Sequence, residues 1–144
     1  MKNSKKLILY CILLGFFVSL IWLPAQGDKI SSNEVVVMQN SKAVVKRYFS
    51  ALSSGDIEAI RSVLGGNFLS RSGSLLSNPN YGEVLRNYFN RARFSIIGAE
   101  MINEQEIKIL VEILLQDKSL SRVNLIVKDL GNLGFRIINE SEIN

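Results

Sequence analysis

The residue types that most often carry chemistry are sparse in this 144-residue chain, and their absence narrows its function before any fold is considered. Histidine does not occur, which excludes His-based triads, His metal sites and His pH switches together. The single cysteine, Cys11, lies near the N-terminus, so the remainder can form neither a disulfide nor a thiolate site. There is no phosphate loop, no metal-ligand spacing and no paired-carboxylate constellation, and no cofactor is expected. What remains is a set of polar side chains on regular elements. Glu112 lies on the mixed face of a long alternating segment, and Arg122 and Asn124 lie on the less apolar face of the next. If those faces point to solvent the groups are uninformative, and if the sheet curls they could orient a ligand in a cavity. Arg86, Arg91 and Arg93 cluster near the end of a helix, where favourable interaction with the helix C-terminus and solubility explain them more simply than an anion site.

The elements that must position these groups begin after an N-terminal leader. Met1 to Lys6 is short and basic, Leu7 to Leu23 is uncharged and apolar, and Pro24-Ala25-Gln26-Gly27 follows. Residues 1–27 therefore read as a signal peptide cleaved after Gly27, or as an uncleaved signal anchor, because 17 apolar residues exceed the usual signal-peptide run and approach a membrane span. Lipid attachment at Cys11 and a buried helix of a soluble domain are weaker alternatives. On either main reading the lysines stay cytoplasmic and residues from Asp28 onward are extracytoplasmic, secreted or periplasmic, or held at the cytoplasmic membrane through residues 7–23. Of 17 basic and 13 acidic side chains, Lys2, Lys5 and Lys6 and no acid belong to the leader, leaving 14 against 13. The basic pI of 9.3 is thus largely a property of the leader, and nucleic acid is not an expected partner.

Residues 28–40 are expected to form a linker or the start of a first helix, and residues 41–144 a single domain. Ser31 and Glu34 have capping-box spacing, and Val37, Val44, Val45, Tyr48, Phe49 and Leu52 share a helical face that Ser53-Ser54-Gly55 ends. That helix could also start late, near Asn40. Asp56 can cap a short second helix carrying Ile57, Ile60, Val63 and Leu64. A third begins near Asn80, with Tyr81, Val84, Leu85, Tyr88 and Phe89 on one face. The Ser/Gly-rich stretch from Asn67 to Ser77 is expected to be a loop, or a short strand or hairpin. After Arg93 the period changes from 3.6 to 2. Strands are predicted at 94–103, 107–115, 120–129 and 134–139. Three N-terminal helices packed on a curved antiparallel sheet make an α+β domain.

The run Ala43-Val44-Val45-Lys46-Arg47-Tyr48-Phe49-Ser50-Ala51-Leu52-Ser53-Ser54-Gly55-Asp56, the short helix after it and the closing Gly134-Phe135-Arg136-Ile137 resemble the nuclear transport factor 2-like, or SnoaL-like, superfamily over residues 35–140. The resemblance implies a cone-shaped fold and leaves function open, since that superfamily includes isomerases, dehydratases, transport factors and envelope-complex subunits. The first helix looks most like that of bacterial ketosteroid isomerases, in which the tyrosine corresponding to Tyr48 donates a hydrogen bond to a developing enolate. Counting from Asp56 without gaps, the position of that family's base is Ser72, and the strand that should supply its second acid reads Val123-Asn124-Leu125-Ile126-Val127. Both acids are missing, so isomerase activity is not carried over and no catalytic residue is assigned.

Tyr48, Tyr88, Glu112 and Asn124 are the ligand-pocket candidates, although Tyr48 and Tyr88 are also explained as helix core. The expected function is that of an exported, non-catalytic domain that binds a small apolar ligand or serves as an interaction module with an envelope protein partner. A homodimer through Leu110 and Leu114 on the outer sheet face is a further expectation. The alternative is a small-molecule isomerase or lyase with unfamiliar acid/base groups. A deep pocket holding a carboxylate with a raised pKa would favour the enzyme, and a shallow or apolar cavity the binding module.

Overall fold

The computed structural model describes residues 31–143, and the leader, with its cleaved and anchored alternatives, lies outside the described residues. The first helix, α1, runs from Ser32 to Ser54. Its start is fixed by a reciprocal cap: the Glu34 amide donates to Ser31 Oγ at 3.2 Å, and the Ser31 amide donates to Glu34 Oε2 at 2.7 Å. The cap holds the helix eight residues ahead of the late start at Asn40. It ends where Gly55 takes a left-handed conformation (φ 69°). Gly55 and Gly82 also pack backbone to backbone, so neither position has room for a β-carbon.

Asp56 Oδ1 accepts from the Ala59 amide at 3.0 Å and starts α2, Ile57–Val63. The next segment corrects the sequence reading. Gly66–Leu76 is a helix, α3, not a loop or hairpin, so among the described residues four helices precede the sheet rather than three. Its residues Phe68, Leu69, Ser72, Leu75 and Leu76 follow helical spacing, but the polar Ser72 interrupts the apolar stripe and two further serines, Ser70 and Ser74, dilute it. The last helix, α4, spans Tyr81–Tyr88.

Four strands follow in a meander of order β1-β2-β3-β4, all antiparallel: β1 Arg93–Asn103, β2 Glu106–Leu114, β3 Leu120–Asp129 and β4 Phe135–Glu142. The period-2 alternation sorts the two faces. Ile107, Ile109, Val111 and Ile113 of β2, with Val123, Leu125 and Val127 of β3, are buried beneath the helices. The opposite face is laced by ion pairs between Glu100 and Lys108, Glu112 and Arg122, and Glu106 and Lys128. Phe49 of α1 stacks on Phe94 of β1 with centroids 4.4 Å apart, joining the helix layer to the sheet edge. Ser41 is fully buried on α1, and its hydroxyl has no hydrogen-bond partner among the described residues.

Irregularities at two places matter more than the regular pairing. β1 shifts register between Ile96 and Gly98, and β4 shifts opposite Ile126 and Val127. In β4, Ile137 pairs with Val127 but Asn139 pairs with Ile126, leaving Ile138 as the extra residue of a bulge. A one-residue insertion reverses the facing of everything beyond it. Asn139 therefore points outward with Ile126, and Glu140 lies opposite the buried Leu125 on the inner face.

Candidate functional site

The inward turn of Glu140 brings a carboxylate to the wall of a cavity of about 260 Å³ enclosed by the helices and the inner sheet face. Most of its wall is apolar, including Leu52, Ile60, Phe68, Leu76, Leu85 and Ile113. Among the described residues, the polar side chains on it are Tyr48, Ser72, Tyr81 and Glu140, and no lysine or arginine lines it. Each arrives by a different device. Tyr48 lies on the buried stripe of α1, Ser72 on the inner stripe of α3, Tyr81 opens α4, and Glu140 depends on the bulge at Ile138.

The Tyr48 hydroxyl donates to Glu140 Oε2 at 3.2 Å. Burial pushes the Glu140 carboxyl above the usual carboxylate range, the Tyr48 hydrogen bond opposes that shift, and the nearby charge of Glu142 adds to it. Burial, followed by the negative charge of Glu140, pushes the Tyr48 phenol far above its ordinary value. Tyr48 therefore stays protonated and acts as a donor. Glu140 is the exchangeable group, holding its proton to higher pH than an exposed glutamate and accepting hydrogen bonds once ionised. A carboxylate has room for more than one donor, so a bound molecule carrying a hydroxyl, amine or amide could complete its hydrogen bonding.

Of the four candidates named from sequence, Tyr48 lies in this cavity, 6% exposed. Glu112 is on the opposite sheet face, where its Oε2 accepts from Arg122 Nε at 3.1 Å and Nη2 at 3.0 Å. Asn124 is on that same outer face, paired in register with Leu110. Tyr88 is 61% exposed, its ring edge-on to Phe89. Arg86 of the arginine cluster donates from Nε to the Ser54 carbonyl at 3.2 Å, satisfying the end of α1. Ser72, Tyr81 and Glu140 are the polar pocket residues that the sequence reading does not select. Ser72 stands where gap-free counting places the isomerase base, and a serine hydroxyl cannot replace that acid. Glu140 fell one residue beyond the predicted last strand, and its facing depends on a bulge that alternation alone does not reveal. Among the described residues, no group of three or more acidic, His or Cys side chains is placed to hold a metal ion, and no helix is long and apolar enough to cross a membrane.

No family model matches the chain, and no curated protein matches it. Among solved structures, it is similar to a nuclear transport factor 2-like superfamily protein from Salmonella enterica serovar Typhimurium. The match has 12% identity and a TM-score of 0.53, and covers 76% of this chain and 92% of that one. At that identity the likeness speaks for the fold alone. The domain adopts the nuclear transport factor 2-like fold: four helices on a curved four-stranded antiparallel sheet.

Proposed function

We propose that this is an exported domain whose cone interior binds a small, largely apolar molecule and orients it through one polar group held by the Tyr48–Glu140 pair. The observation that carries the proposal is the pair itself, a donor and an acceptor converging at the wall of an otherwise apolar cavity. The volume of about 260 Å³ falls just below the roughly 300–1,000 Å³ of pockets that take drug-sized ligands, so the ligand is compact. Export rests on the basic, apolar and small-residue pattern of residues 1–27, and its test is intact-mass analysis with protease accessibility of whole cells. For the ligand, the test is native mass spectrometry of the full-length protein purified gently from its own host. Wild type should carry a small-molecule adduct that Ser72→Phe, which fills the cavity, excludes. A bare wild-type mass, or an adduct indifferent to Ser72→Phe, would refute the reading. A bare dimer would redirect attention to the outer sheet face, where Leu114 pairs with the exposed Leu120.

A second reading is favoured by one specific feature, the upward shift of Glu140. A carboxyl whose pKa is raised keeps a proton where an ordinary carboxylate has lost it, which suits general acid/base work, and Tyr48 beside it could stabilise developing negative charge. On this reading Glu140 supplies, from β4, an acid that the motif comparison sought elsewhere, and the domain is a small-molecule isomerase or lyase. Incubation of the ligand-loaded protein in deuterated water separates the two. Proton transfer from carbon would place deuterium in the bound molecule with wild type and not with Glu140→Gln, whereas a binding domain leaves it unlabelled.

A further inference from the structure

A second cleft, of about 840 Å³, opens on the other side of Phe49, between the C-terminal half of α1 and the sheet-edge strand β1. The stacked rings of Phe49 and Phe94 form part of its floor, which Ile96 extends along β1. Its rim carries Lys42 and Lys46, one helical turn apart, and among the described residues no Asp or Glu lines it. Among the described residues neither lysine has a carboxylate within ion-pairing distance; the ion pairs involve Arg61, Lys108, Arg122 and Lys128. The cleft thus combines apolar side chains of α1 and β1, and three serines of α1, with two lysines that have no ion-pair partner among the described residues. Side chains at this spacing on a helix have β-carbons about 5–6 Å apart, close enough for two ammonium groups to share one carboxylate.

We propose that this cleft binds a long-chain carboxylate, with its alkyl chain along Phe94 and Ile96 and its headgroup between Lys42 and Lys46. Other anionic partners fit less well. A polyanion would find only two cations and an apolar floor where it needs a continuous basic track. A bilayer surface would meet the lysine rim but is too flat to follow the concave cleft down to Phe94 and Ile96. The interior cavity beside Glu140 is smaller, and its charge has the wrong sign for a carboxylate. The volume of the cleft lies within the roughly 300–1,000 Å³ range of small-molecule sites.

The test is photocrosslinking of the full-length protein, in zwitterionic detergent, with a diazirine analogue of palmitate, followed by peptide mapping. Crosslinks are expected in residues 42–54 and 92–96, and should be competed by palmitate but not by hexadecanol. The double variant Lys42→Gln/Lys46→Gln should lose about tenfold in labelling, as expected for two rim contacts to one anion, with its far-UV circular dichroism melt unchanged. Absence of labelling, equal competition by the alcohol, undiminished labelling of the double variant, crosslinks confined to 68–76 or 7–23, or association only with anionic vesicles would each overturn the proposal.

Discussion

Removing the Tyr48 hydroxyl should destabilise the protein by an amount that depends on the ionisation of Glu140, and that dependence is the informative quantity. Because Glu140 is raised in the fold, the native state keeps its proton in a pH window where the unfolded chain has lost it. Stability from this group therefore falls as pH rises from the ordinary carboxylate range to the native value, and is flat above it. In alkaline buffer, Tyr48→Phe removes a hydrogen bond to an ionised acceptor, worth about 1.5–3 kcal/mol. In acid buffer, or in a Glu140→Gln background, it removes a neutral bond worth about 0.5–1.5 kcal/mol. A double-mutant cycle in alkaline buffer should thus give a coupling of about 1 kcal/mol. Glu140→Gln alone should be more stable than wild type there, with the gain vanishing in acid. The assay is urea denaturation followed by far-UV circular dichroism, in which the alkaline Tyr48→Phe effect corresponds to a midpoint shift of about 1 M for a typical small-domain slope. Equal costs of Tyr48→Phe in both backgrounds, or a Glu140→Gln variant less stable than wild type in alkaline buffer, would refute the claim that the hydroxyl serves a buried carboxylate.

Three further outcomes are expected. Ser31→Ala removes the side-chain half of the α1 cap and should cost about 1 kcal/mol by denaturant titration, with the loss of helix protection in hydrogen exchange confined to the first turns. Ser41→Ala deletes a fully buried hydroxyl that has no partner among the described residues and should raise the denaturation midpoint, since burying an unsatisfied polar group costs about 1–3 kcal/mol. Arg122→Ala opens the ion pair with Glu112 on the outer sheet face and should change stability by less than about 1 kcal/mol, an effect that salt further reduces.

Elements with strong periodicity or complete caps were legible in the sequence. The capping box at Ser31, the stop at Gly55, the cap at Asp56 and the alternation from Ile107 to Ile113 each impose a local geometry that the tertiary fold does not overrule. The motif around Tyr48 carried the fold as well, and a structural match at 12% identity agrees with it. α3 was hidden because its stripe passes through Ser72, where a cavity replaces the core contact that would have called for an apolar residue. The acid of the site was hidden for a different reason. Strand facing is a parity, and the extra residue at Ile138 reverses it through a pairing with β3 that local sequence does not encode. Reading β4 in strict alternation from Ile137 would turn Glu140 to the outer face. Both misses thus fall on the residues that make the cavity polar.

The central claim is that the bulge turns Glu140 inward onto Tyr48, and a carboxyl-carbon NMR titration of selectively labelled glutamate tests it most directly. The account predicts that the Glu140 resonance titrates above the exposed glutamates of the domain. Its midpoint should rise further in Tyr48→Phe, because the hydroxyl stabilises the ionised form. A Glu140 resonance that titrates with the exposed glutamates and ignores Tyr48→Phe would contradict it.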